Sequence, residues 1–272
     1  MSRNAWMASV AVVIALVGGF YWYAATQKTG ITVDQVLAPP DAEVAAEQAA
    51  PPDLPTPTAV TYPLSEIQAQ ADPALPPLKA SDTHLLAALF DAFGKTPIES
   101  LLIPDQLVRR FVATVNSLDG EPVALRQRPL RHVPGLLSVE RAGDRLLLSP
   151  HNAERYTPLV NVLQGLDPQR AVDLYVRYYP LLQKAYAELG YPDRYFNDRL
   201  IQVIDHLLET RETAGPIELV RPKVLYEFAD RELEKRSSGE KILIRMGPEN
   251  AEIVRRQLRL YRDALVARTL KP

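Results

Sequence analysis

The most restrictive feature of this chain is a run of twenty-one residues, 5–25, without a charged side chain. As an α-helix rising about 1.5 Å per residue, the run is roughly 32 Å long, close to the ~30 Å hydrocarbon core of a bilayer. Backbone polar groups inside hydrocarbon must bond to one another, so a helix is required despite Gly18 and Gly19. The run predicts a single transmembrane helix over residues 5–26, after a head of residues 1–4.

Aromatic residues stand at both ends of the predicted span, where the lipid headgroups would lie. Rings with an apolar body and a polar edge favour that interface. We therefore predict these residues as membrane-interface anchors: Trp6, Phe20, Tyr21, Trp22 and Tyr23.

The charges around the span predict its orientation. Arg3 and the amino terminus precede it, whereas Lys28 follows it and the next lysine is Lys79. The positive-inside rule then favours a cytoplasmic N-terminus and a C-terminal domain outside the cytoplasm. A cleaved signal peptide is the alternative, but Tyr23 occupies a position where a cleavage site after Ala25 requires a small residue.

Residues 27–77 form a proline-rich unit that contains ten of the 24 prolines. The unit has few large apolar residues, so it cannot bury enough surface to offset the entropy of ordering. We predict a disordered linker that spaces the following domain, residues 78–272, from the membrane. The alternative is a segment that binds a proline-reading partner.

Composition and motifs argue against several chemistries. The chain has no cysteine, which excludes disulfides, thiolate metal sites and cysteine nucleophiles. Its formal net charge of -2 does not indicate nucleic-acid binding. No nucleotide-binding, zinc-protease or serine-hydrolase motif occurs. We therefore predict no catalytic, cofactor-binding or metal-binding residues, and no cofactor.

Residues 78–272 are predicted to form a mainly α, compact multi-helix domain. Ser81 and Asp82 offer an N-cap for a helix that Gly94 ends, and Pro104 suits the first position of the next helix. Asp167 precedes a helix of residues 168–189 in which Pro180 predicts a kink or a break.

The last part of the domain has two further junctions. A helical region over residues 230–245 is predicted to be interrupted near Gly239. Gly247 then precedes Pro248, which is placed to start a final helix of residues 248–268. A chain that passes between two helices within one or two residues favours a positive φ at the glycine.

Two stretches lack helical periodicity. Residues 135–149 carry apolar residues on both sides of Ala142, Gly143 and Asp144, which predicts a small β-hairpin. Residues 218–228 surround Pro222 with branched and aromatic residues, which predicts an edge strand or an extended arm.

Four segments carry a family resemblance: RYTPLVNVLQGLD, LYVRYYPLLQKAYAELGYP, YEFADRELE and KILIRMGPEN, which begin at residues 155, 174, 226 and 241. They resemble an uncharacterised family of bacterial envelope proteins catalogued as a domain of unknown function. That resemblance covers nearly all of residues 82–266. It implies a single N-terminal span, a proline-rich linker and a helical periplasmic domain at a Gram-negative inner membrane, and it implies no activity.

Tyrosine is enriched between residues 156 and 195. The simplest interpretation is core packing with hydroxyls at the rim. The alternative is a peptide- or glycan-binding groove formed by Tyr175, Tyr178, Tyr179, Tyr186 and Tyr195.

The function expected from these features is a non-enzymatic interaction module of the cell envelope. Its partners would be the bilayer, through residues 5–26, and an envelope protein or wall component. The alternative is a wall-directed hydrolase or transglycosylase that uses acidic residues such as Glu188, Asp193 and Asp198. A buried carboxylate with a raised pKa in a deep cleft would favour the enzyme, and a shallow tyrosine-lined groove would favour binding.

Overall fold

The computed structural model of this protein describes residues 60–64, 75–121 and 124–269. Within these ranges the chain is mainly helical with a small antiparallel sheet, which confirms the predicted fold class of the domain. The helices are α1 (Ser81–Phe93), α2 (Lys95–Leu101), α3 (Leu107–Ser117), α4 (Thr157–Gln164), α5 (Pro168–Glu188), α6 (Phe196–Leu208), α7 (Arg231–Glu234), α8 (Ser238–Arg245) and α9 (Pro248–Val266).

The predicted membrane span and its aromatic anchors lie outside the described residues. In the described ranges, no helix combines the length and the apolar character needed to cross a bilayer. The boundaries of the head, span and linker therefore stay a prediction.

The core lies between α9 and the helices that surround it. α9 packs on α4, α5 and α6, and α3 packs on α5 and α6. One face of α9, with residues at steps of three and four, is buried: Ala251, Val254, Leu258, Tyr261 and Leu265. Burying one such leucine contributes about 1.5–3 kcal/mol, so this face fixes α9 in the fold.

The sheet contains four antiparallel strands, β1 to β4 in spatial order: β1 (Val139–Ala142), β2 (Arg145–Leu148), β3 (Glu218–Val220) and β4 (Glu227–Phe228). β1 and β2 form the predicted hairpin, with Gly143 at φ +63° in its turn. The second stretch forms another hairpin, in which β3 lies inside the sheet and β4 at its edge. Leu219, Phe228, Leu233 and Ile244 form a small apolar cluster of their own beside the sheet.

The start of α3 differs from the prediction. Asp82 was expected to help cap its own helix, α1, but its carboxylate accepts the amides of Gln106 at 2.7 Å and Leu107 at 2.8 Å. It thus satisfies amides at the start of a different helix. The prediction that Pro104 opens this helix was wrong, because Gln106 has φ +50° and redirects the chain just before α3 begins.

α5 begins as predicted and is not broken at Pro180. The Asp167 carboxylate accepts the amide of Gln169 at 2.8 Å and caps the helix. α5 then runs without a break through Pro180, although proline offers no amide to the carbonyl of Val176. The turns on both sides of Pro180 carry buried side chains, and their packing offsets the missing bond.

The junction before α9 matches the prediction. Gly247 has φ +81° and is the N-cap, and Pro248 is the first helical residue. A Cβ added to Gly247 would lie 2.9 Å from the Cβ of Ala153, so the junction is also tightly packed.

The interruption expected near Gly239 falls slightly earlier, between α7 and α8. Ser237 and Glu240 form a reciprocal capping box there. Because that box starts α8, Gly239 lies inside the helix rather than at the break.

Candidate functional site

Residues 60–64, which the sequence places in the linker, contact the start of α6. The amides of Thr61 and Tyr62 donate to Oδ2 and Oδ1 of Asp198, at 2.9 Å and 2.8 Å. Hydrogen bonds to an ionised carboxylate are about twice as strong as those between neutral groups. Asp198 lies in the first turn of α6, where the helix dipole also favours a negative charge.

Two neighbouring side chains complete the contact. The side-chain amide of Asn197 donates to the carbonyl of Tyr62 at 2.9 Å, and the hydroxyl of Tyr195 accepts the amide of Leu64 at 3.0 Å. We call Tyr195, Asn197 and Asp198 the cradle. These four hydrogen bonds join the cradle to main-chain atoms of the segment.

Leu64 supplies the apolar part of the contact. Its side chain is 4% exposed and belongs to the main hydrophobic core. Its backbone also forms an antiparallel bridge with Thr269, near the C-terminus. The segment is therefore held by the start of α6 on one side and by the end of the chain on the other.

Asn197 is oriented from behind by a buried tyrosine of α5. The hydroxyl of Tyr175 donates to Oδ1 of Asn197 at 3.0 Å, which leaves the Asn197 amino group to face the carbonyl of Tyr62. Burial raises the pKa of Tyr175, and the nearby Tyr195 and Asp198 raise it further. The hydroxyl therefore stays protonated and keeps this donor role at physiological pH.

Gln183 fixes the backbone on both sides of Tyr195. Its amino group donates to the carbonyl of Arg194 at 2.8 Å, and its Oε1 accepts the amide of Phe196 at 2.8 Å. The hydroxyl of Tyr179 donates to the same Oε1 at 2.8 Å, and burial raises the pKa of Tyr179. Because Tyr195 provides no side-chain cap for α6, Gln183 satisfies one of the amides that the helix leaves open.

A polar cleft of about 580 Å³ adjoins the segment and follows the exposed face of α6. Thr61 and Tyr62 form one part of its wall. The helix supplies the other part through Asp198, Gln202, Asp205, His206 and Glu209.

Ion pairs hold several charges of the cleft in place. Both carboxylate oxygens of Asp119 bind Arg199 at 2.6 Å. Arg262 pairs with Asp205, and this hydrogen bond raises the pKa of Arg262. These pairs link α6 to α9 and to the residue that follows α3 by two positions, Asp119.

The five tyrosines of the predicted groove take different positions. Tyr175 and Tyr179 are buried behind the cradle, and Tyr195 belongs to it. Tyr178 is buried away from the cradle, with its hydroxyl 2.5 Å from Nδ1 of His84. Tyr186 is buried and stacks on Tyr191, with ring centroids 4.8 Å apart. Tyr186 and Tyr195 also line the cleft, and the hydroxyls of Tyr175, Tyr179 and Tyr195 take part in the hydrogen bonds of the site.

The carboxylates named for a hydrolase are not brought together as one group. Glu188 lies at the end of α5 and pairs with Arg109 at 2.6 Å. That hydrogen bond lowers the pKa of Glu188. Asp193 and Asp198 line the same cleft, but Asp198 is engaged by the segment.

Among the residues that the structure describes, no three His, Asp or Glu side chains are grouped so as to hold a metal ion.

Sequence reasoning missed the central residues of this site. Asn197 and Gln183 are ordinary amides on helical patterns. Asn197 binds Tyr62 across 135 residues, and Gln183 binds the backbone on the far side of the turn between α5 and α6. The available signal was in the linker, where Tyr62, Pro63 and Leu64 are larger and more apolar than most of their neighbours.

Residues 107–262 match the model of a family described as a protein of unknown function, DUF3014. This match spans more than half of the chain. The chain belongs to the DUF3014 family. Neither the curated proteins nor the solved structures contain a match.

Membership of DUF3014 confirms the expected domain of unknown function. The membrane span and the envelope context of the resemblance stay predictions. The DUF3014 match contains the cradle and Gln183, whereas the docked segment, residues 60–64, lies before it.

Proposed function

We propose that this protein is a non-enzymatic interaction module of the bacterial cell envelope that binds a segment of polypeptide at the cradle. In this proposal, residues 5–26 hold the chain in the inner membrane as a single-pass span. The N-terminus is cytoplasmic and the helical domain is periplasmic.

The contact between the cradle and residues 61–64 carries this proposal. Tyr195, Asn197 and Asp198 bind three amides and one carbonyl of a segment that lies outside the family match. Side chains that bind main-chain groups in this way are suited to polypeptide ligands, because every peptide offers those groups.

The size of the contact favours a weak, exchangeable ligand. Burying one leucine contributes about 1.5–3 kcal/mol, and each neutral hydrogen bond about 0.5–1.5 kcal/mol. Association of a separate peptide costs on the order of 4–15 kcal/mol. The two bonds to the Asp198 carboxylate contribute about 1.5–3 kcal/mol each, so the gains total roughly 5–12 kcal/mol, which is similar to that cost. We therefore expect weak binding of a short peptide, with a dissociation constant on the order of 0.1–1 mM, or about -4 to -5.5 kcal/mol.

Site-specific crosslinking in cells tests the proposal. A photoreactive residue at Gln202, which is exposed in the cleft, should form an adduct with a defined envelope protein or wall component. The same residue at Lys95, exposed on α2, is the positional control. Replacement of Asp198 by Asn should abolish the adduct, whereas Asp193→Asn, at an exposed carboxylate of the same cleft, should keep it.

The hydrolase alternative predicts a different result. Release of soluble wall fragments by the purified protein, lost when one acidic residue is replaced, would overturn the proposed function.

A further inference from the structure

The docked segment shows which groups of a ligand the cradle recognises. The bound main-chain groups are the amides of Thr61, Tyr62 and Leu64 and the carbonyl of Tyr62. The third residue of the segment, Pro63, has no amide to donate. The cradle binds the amides of the other three residues, so proline stands at the position where no amide is needed.

We infer that the cradle is specific for a four-residue pattern: two residues with free amides, a third that tolerates proline, and a buried apolar residue. Residues 61–64 are then a built-in ligand, and a partner protein competes with them through a segment of the same pattern. This inference rests on the proposed function and names its class of partner.

The geometry of the first two positions supports this pattern. Successive amides of a β-strand point in opposite directions, so they cannot both reach one carboxylate. The chain bends at Thr61 and Tyr62, and the two adjacent amides form a concave anion-binding group that encloses the Asp198 carboxylate. A proline at the second position would remove one of these donors.

The fourth position provides a buried apolar side chain. Thr61 is exposed, Tyr62 and Pro63 are half-buried, and Leu64 is buried. The leucine is therefore the one residue of the four whose side chain is fully removed from water, and a charge there would be desolvated without a partner.

The sequence of the linker agrees with this pattern. Of the prolines between residues 27 and 77, only Pro63 and Pro77 are followed by leucine. Pro77 is preceded by Pro76, which lacks the amide required at the second position. Residues 61–64 are thus the only stretch of the linker in which two residues with an amide precede a Pro-Leu pair, and they are the stretch in the cradle.

A segment attached to the same chain has an effective concentration in the millimolar range. With the affinity expected above, the built-in ligand should fill most cradles. A peptide added to the unmodified protein should then bind on the order of tenfold more weakly than to a protein whose own segment is disabled.

Peptide binding to the detergent-solubilised full chain tests the pattern. The probe is a labelled peptide with the sequence of residues 59–66, and fluorescence anisotropy measures its affinity. Leu64→Asp in the protein disables the built-in ligand. Thr61→Pro is a second way to disable it, and circular dichroism checks that both variants are folded.

The probe should bind both disabled variants, and bind the unmodified protein about tenfold more weakly. Tyr62→Pro or Leu64→Asp in the peptide should weaken binding at least tenfold, whereas Pro63→Ala should change it less than about fivefold. Asp198→Asn in a disabled protein should weaken binding at least tenfold, and Asp91→Asn, at an exposed carboxylate of α1 outside the cleft, should leave it unchanged.

Two results would overturn the inference and leave the proposed function standing. One is equal binding of the Tyr62→Pro peptide and the original. The other is no peptide binding by either folded variant while the crosslink at Gln202 persists. Loss of that crosslink specificity would instead refute the proposed function.

Discussion

Replacement of Gly247 by Ala should destabilise the domain through two separable effects. The φ of +81° and ψ of 161° lie in a region that essentially only glycine occupies, and a side chain there costs about 1–3 kcal/mol. The new Cβ would also lie 2.9 Å from the Cβ of Ala153, and such overpacking costs about 1–3 kcal/mol. Together we expect a loss of about 2–5 kcal/mol.

Gly94 provides a matched control for the backbone effect. It has φ +84° and ψ 146°, but an added Cβ would meet its nearest neighbour, Cδ of Pro97, at 3.8 Å. Gly94→Ala should therefore destabilise the domain only through the backbone conformation, by about 1–3 kcal/mol. Ala153→Gly, combined with Gly247→Ala, should recover the packing part, because it removes the atom that clashes.

Thermal unfolding of residues 27–272, followed by circular dichroism, measures these effects. For a domain of this size, 1 kcal/mol lowers the midpoint by about 2–4 °C, so Gly247→Ala should lower it by roughly 5–15 °C. An equal shift for Gly94→Ala would refute the packing argument. An unchanged midpoint for Gly247→Ala would refute the whole account of the junction.

Three further predictions concern other parts of the chain. Asp82→Ala should lower the free energy of unfolding in urea by about 1 kcal/mol, because α3 loses its cap. Asp91, which is exposed, lies on α1 like Asp82, and Asp91→Ala should change this free energy little. Arg109→Met should raise the pKa of Glu188, which an NMR titration measures. In the native protein the ion pair stabilises the fold at pH values above the unfolded pKa of the carboxylate. That stabilisation is lost as the pH falls through the folded pKa. A reporter active only outside the cytoplasm, fused after Pro272, should be active, and activity only from a cytoplasmic reporter would contradict the orientation.

Local sequence signals predicted the features that depend on neighbouring residues. The cap at Asp167, the turn at Gly143 and the positive φ at Gly247 all follow from the preferences of a few adjacent residues. Such preferences act before the chain folds and persist in the fold.

Features that depend on distant partners were not predictable in this way. Asp82 carries the signature of a local cap, yet it binds amides 24 and 25 residues away. Asp198 meets Thr61 across 137 residues. Nothing in the residues near Asp198 identifies that partner, because the pairing is decided by how α6 and the C-terminus come together.

The docked segment determines where a mechanical load would enter the fold. In a chain held by its N-terminus, residues 27–59 can span at most about 110–120 Å, and residues 27–74 about 160–170 Å. If residues 27–59 form the predicted linker, tension would first reach the described fold at residues 60–64, where Asp198 at the start of α6 and Thr269 near the C-terminus share it. Rupture of this contact would release at most about 50 Å of chain before the tension reached Leu75.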